Sequence, residues 1–151
     1  MRDYKTLPDY PSQYSAETVL IRLLDGIGFR YQVALDGIQD EHLEYKPADG
    51  AMTILEQQEH IFNILNWVYQ SIIELESDYN FSIKNSFIIL NELRDIFEKK
   101  SYDLNDIRIR ELPFWHVING PFADILTHIG QINSYKRMIG IPNPKINYFS
   151  G

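Results

Sequence analysis

The chain contains no cysteine, which excludes disulfides, thiolate metal ligands and a cysteine nucleophile together. Any thiol in its chemistry has to arrive with a substrate. No apolar run approaches the roughly 18 residues needed to span a bilayer. The start, Met1 to Pro11, is polar and broken by prolines, without the apolar stretch of a signal peptide. A cytoplasmic protein with no membrane partner is the expectation. Basic patches are missing too: 14 Lys and Arg face 21 Asp and Glu, a net charge of −7. Nothing could neutralise a row of phosphates, so nucleic acid is not an expected partner. The chain also lacks internal repeats, low-complexity tracts, domain linkers and the short apolar–polar alternation of a sheet.

What remains is the composition of an ordinary globular domain, 44% hydrophobic and 23% charged over 151 residues, enough to bury roughly two thirds of the unfolded surface. One domain over 1–151 is expected, with a core at about 16–140 and irregular tails. Four segments carry helical periodicity. Leu20, Leu23, Leu24, Ile27, Tyr31 and Ala34 follow Ser15, a natural N-cap, and Gly37 is a stop. Thr53-Ile-Leu-Glu56 reads as a capping box opening a second helix, with Ile54, Leu55, Ile61, Leu65, Val68 and Ile72 on one broad face, running to about Leu75. A polar Glu-Ser-Asp-Tyr-Asn break follows. The third helix spans about Asn85 to Lys99, with Phe87, Leu90, Leu93, Ile96 and Phe97 buried. The fourth starts at Pro121, or earlier with a kink there, and runs to about Met138. Four helices joined by loops predict an all-α, antiparallel up-and-down four-helix bundle.

On the fourth helix Asp124, His128, Gln131 and Tyr135 fall within about 60° of one another at 100° per residue, forming a polar edge. Beside it Phe122, Ile125, Ile129, Ile132 and Ile139 make an apolar arc, with Lys136 an awkward intruder. Asp124 and His128 have the i, i+4 spacing that lets two side chains reach one ion. A third ligand has to come from another helix, where His60 is the well-placed histidine, and two imidazoles with one carboxylate make a facial set with open positions. The same residues have plainer readings. Asp124 is also an acid in a first helical turn, suited to the dipole, and His60 a core-edge histidine satisfied by a carbonyl. His42, in a polar Asp-Glu-His segment, and His116, beside Trp115, stay outside the set.

Three stretches together resemble the DinB/YfiT-like family: Leu23-Leu-Asp-Gly-Ile-Gly-Phe-Arg-Tyr31, Thr53-Ile-Leu-Glu-Gln-Gln-Glu-His60-Ile, and Asp124-Ile-Leu-Thr-His128-Ile-Gly-Gln131. The resemblance spans residues 16 to 145. It implies a four-helix bundle holding a divalent metal (zinc, nickel, manganese or iron) through histidines, one from the second helix and two from an His-x-x-x-His turn on the last. Carried over by position, His60 and His128 match the outer ligands, and Asp124 stands where the family has histidine. A carboxylate keeps the site able to coordinate while changing which ion it prefers, and it equally suits a member that has lost its metal. The resemblance implies a metal-dependent enzyme, either a small-thiol S-transferase or a hydrolase, acting on a small molecule such as a low-molecular-weight thiol. Gln131 and Tyr135 would orient substrate or ligands, and Arg137 would be a solvated arginine or a carboxylate binder. The alternative is a metal-free bundle that binds a small ligand or a protein partner. A homodimer is a further expectation, with apolar surface at Tyr148 and Phe149.

Overall fold

Ser15 Oγ accepts the Thr18 amide and Thr18 Oγ1 accepts the Ser15 amide, so the first helix opens on a reciprocal cap. The structure, a computed structural model, describes residues 2–148. Helix α1 is Ala16–Leu35, α2 Ile54–Ile73, α3 Ile83–Lys99 and α4 Ala123–Met138. Thr53 and Glu56 form the expected capping box on α2, at 2.7 and 3.1 Å. Ser82 caps α3 through the Asn85 amide. Each such cap stabilises its helix by about 1 kcal/mol. Among the described residues, no helix is long and apolar enough to cross a membrane.

The four apolar stripes meet in one core. Leu24, Ile27 and Tyr31 pack with Ile61, Leu65 and Val68, with Leu90, Leu93 and Phe97, and with Ile125, Ile129 and Ile132. That core reaches back to Tyr4, whose ring is 2% exposed and lies against Phe87, centroids 5.6 Å apart. Gly28 makes room for it: a Cβ there would sit 2.2 Å from the Tyr4 ring. The segment is further tied by Arg2, whose guanidinium donates to Oδ1 of the buried Asp25 at 2.7 Å, the same oxygen that accepts Arg94 Nε at 3.3 Å. Lys136, the intruder in the α4 arc, is completely buried and donates to the Val33 carbonyl at 3.1 Å.

The helices do not connect as an up-and-down bundle. Helix α1 packs on α3 and α4, and α2 packs on the same two. The C-terminal ends of α1 and α4 meet at Val33 and Lys136, so these two run in parallel. Lys100 and Glu17 join the end of α3 to the start of α1, which makes that pair antiparallel. Asp124 meets His60 while His128 meets Gln57, so α4 and α2 are antiparallel too. The order is therefore up, down, down, up. It works because residues 74–82 are no hairpin turn: Ser77 bonds Asn66, Tyr79 lies by Tyr69 and Phe81 packs on Phe62, carrying the chain back along α2 before α3 begins. The expected polar break is a packed return strand of coil, anchored by its aromatics.

Two further features lie before α4, a departure from the expected fold and the earlier of the two expected starts for the last helix. Arg108–Ile109 (β1) and Leu112–Pro113 (β2) form a two-stranded antiparallel hairpin, so the chain is not purely α. With two residues per strand, there is no alternation for a sequence to display. The last helix starts at His116 and passes through a π-helical turn, Ile118–Phe122, that contains Pro121. Proline would clash with the carbonyl four residues back in an α-helix, and the wider turn relieves that clash. Tyr148 is half-buried against Phe29 and Arg30, so it does not offer the free apolar surface expected of it. Phe149 lies outside the described residues.

Candidate metal centre

His60 sits two turns into α2, and Asp124 and His128 occupy the first turns of α4, across the seam where the two antiparallel helices pack. His60 Nε2 lies 3.2 Å from Asp124 Oδ2, and His128 Nε2 lies 3.5 Å from Asp124 Oδ1. The imidazole centroids are 4.5 Å apart with the rings tilted by 66°. One ligand atom from each of the three residues falls within 4.8 Å of the other two, so the group could hold a metal ion. Donors about 2.0–2.2 Å from one tetrahedral ion stand roughly 3.3–3.6 Å apart; the two His–Asp separations are of that size, each to a different carboxylate oxygen, while the three-atom set spreads more widely, to within 4.8 Å. The centre is not deep in the bundle. His128 is 8% exposed, but the His60 and Asp124 side chains are 40% and 49% exposed, so the group faces solvent along the seam and retains room for an exogenous ligand.

Sequence reasoning passed over Gln57, which is buried on α2 one turn before His60. Its Oε1 lies 2.5 Å from His128 Nδ1. An amide oxygen only accepts, so Nδ1 carries the proton and Nε2 presents its lone pair toward Asp124, the arrangement a metal-ligating histidine needs. The available signal was a glutamine inside the apolar face of a helix that also carries His60. Burial holds the His128 imidazole below its ordinary pKa. The charge of His60 adds to this, and the Asp124 carboxylate opposes it. His128 is thus kept neutral and ready to coordinate.

Gln131, one turn beyond His128, favours its protonated form weakly, and its own Oε1 is buried without a hydrogen-bond partner. Tyr135 lies about 10 Å further along α4 than His128, where it packs edge-on against Tyr45, centroids 5.9 Å apart. Arg137 is exposed and bonds Ser134 Oγ. His42 Nδ1 accepts the Gln39 amide, and the His116 ring lies over Gly120; neither approaches the three-residue group.

An open cavity of about 420 Å³ adjoins the centre, walled by Ile64, Trp67, Pro121, Asp124 and Thr127. A larger one of about 1030 Å³ lies at the N-terminal end of α1 among Tyr14, Leu20, Phe114 and Trp115, with none of the three candidate ligands on its wall. Fold and site together define a four-helix chain with a His–Asp–His group able to take a metal ion on its α2–α4 seam. No protein-family model, curated protein or solved structure matches the chain.

Proposed function

We propose that this is a metal-dependent enzyme of the DinB/YfiT-like kind, acting on a small molecule as an S-transferase toward a low-molecular-weight thiol or as a hydrolase. The observation that carries the reading is the convergence of His60, Asp124 and His128, with Gln57 fixing the His128 tautomer. A divalent ion held there would act as a Lewis acid on a bound thiol or water. The chain's own part is to hold that ion by three side chains, leave positions open to solvent beside the half-exposed His60 and Asp124, the latter also walling the 420 Å³ cavity, and keep His128 unprotonated. A single carboxylate with two imidazoles suits zinc, nickel, manganese or iron, with a harder preference than three imidazoles would give.

Metal content by mass spectrometry on untagged protein, purified without chelators, tests this directly. A stoichiometric first-row metal is expected in the wild type and lost in Asp124→Ala and His128→Ala. Protein that stays empty after incubation with zinc, manganese, nickel and iron overturns it. The reading then passes to a metal-free bundle that binds a small ligand or protein partner, for which the 1030 Å³ cavity with its exposed Tyr14 and Trp115 offers the surface.

A further inference from the structure

Arg110 and Glu111 link β1 to β2, and both adopt positive φ, 49° and 65°. A two-residue hairpin loop of the I′ kind requires this, and it is normally met by Asn and Gly. Two ordinary side chains carry strain there that a standard turn sequence would avoid. What the strained turn achieves is the placement of one side chain: the Arg110 guanidinium lies over the Trp67 ring, Cζ 4.9 Å from its centroid. Arg110 is exposed, and the structure gives its five N–H donors no hydrogen-bond or ion-pair partner among the described residues. By contrast Arg2, Arg22, Arg94, Arg108 and Arg137 each donate to an oxygen, while Arg30, like Arg110, rests on an aromatic ring, that of Tyr148.

Trp67 is where this cation meets the candidate metal centre. It lies seven residues after His60 on α2, hence on the same face and about 10 Å along the helix. It shares the 420 Å³ cavity with Asp124. A molecule bound at the ion and lying along Ile64 and Pro121 brings its far end to Trp67, the wall residue that Arg110, itself outside the cavity lining, touches through its guanidinium. In a chain with net charge −7, a fixed cation at that point is what lets an anionic molecule settle there, and a planar fork of donors matches a carboxylate.

We propose that Arg110 is the anion-binding residue of the centre: it holds the carboxylate of an elongated small-molecule substrate whose other end meets the metal. This rests on the metal-centre reading above and names the class of substrate for it. The test uses cobalt-loaded full-length protein, whose visible absorption reports ligands on the ion, and two probes: suberic acid monohydroxamate and its methyl ester. They share a metal-binding head and an apolar chain, and only the first ends in a carboxylate. Wild type is expected to prefer the acid by about fivefold, as a charge-assisted pair at an exposed site allows. Arg110→Gln, at an exposed turn, is expected to take up cobalt and bind the ester as before while losing the preference, and Arg110→Lys to keep part of it. Equal affinities for acid and ester in wild type, or a preference that survives in Arg110→Gln, overturn the inference alone. A chain that takes up no cobalt overturns the metal centre and the inference with it.

Discussion

Gln57 and His128 meet across the α2–α4 seam, and the amide oxygen of one fixes which nitrogen of the other faces Asp124. Gln57→Leu keeps the helix and the apolar volume but leaves Nδ1 without its acceptor. Outer partners of this sort typically contribute 10–100-fold to metal affinity. Isothermal titration with zinc is expected to show a loss of about that size, with all three ligands intact. An unchanged affinity would sink the role assigned to Gln57.

The lowered pKa of His128 sets a direction for acid sensitivity. The folded chain binds fewer protons than the unfolded one between the lowered pKa and the ordinary imidazole value of 6.5. Stability from neutral His128 is therefore complete above that ordinary value and is lost as pH falls through the lowered one. Thermal unfolding of metal-free protein, followed by circular dichroism from about pH 7.5 to about pH 5, should fall more steeply for wild type than for His128→Gln. Parallel curves would show that burial of this imidazole is not felt.

Lys136 makes a second, independent pH test. Burial holds its ammonium below the ordinary range, partly offset by Asp36. With the folded pKa lowered, wild-type stability should rise as the pH climbs from that value toward 10.5, a slope absent from Lys136→Met. At neutral pH the methionine variant removes a buried charge without orphaning the Val33 carbonyl, which still accepts the Asp36 amide at 3.3 Å. It should gain about 1 kcal/mol in urea unfolding. A loss of similar size would mean that the Lys136–Val33 bond outweighs the burial of its charge.

The N-terminal segment gives a test of coupling. Gly28→Ala puts a methyl group into the Tyr4 ring and should expel it from the core, costing about 2 kcal/mol of buried aromatic surface. Tyr4→Ala loses the same contact. The double variant is then expected to be no worse than the poorer single one, because both changes remove one interaction. Additive losses would show that Tyr4 and Gly28 stabilise the bundle separately.

The helices were legible because their signals are local. Ser15 and Thr53 cap where they should, and the stripes of Leu24, Ile61, Leu90 and Ile125 point inward because a 3.6-residue repeat leaves them no other face. The path between helices was not legible. Glu76 to Asn80 reads as a polar break, yet Tyr79 within it and Phe81 just beyond it hold the chain against α2 and reverse the direction of α3. That reversal depends on which helices lie side by side, and periodicity within one helix says nothing of it. The candidate site divides the same way. Asp124 and His128 share an edge by spacing alone, whereas the approach of His60, the support of Gln57 and the reach of Arg110 all arise from pairs more than forty residues apart.

The wide turn at Ile118–Phe122 sets the phase of everything after it. It accommodates one more residue than an α-turn, so the helix that began at His116 leaves it rotated by about 100° relative to an uninterrupted one. Removing a single residue from this turn would leave the sequence of α4 untouched and yet aim Asp124 and His128 away from α2, with the isoleucine arc swung off the core. One inserted residue, upstream of every candidate ligand on α4, acts as the angular clutch between the hairpin and the seam.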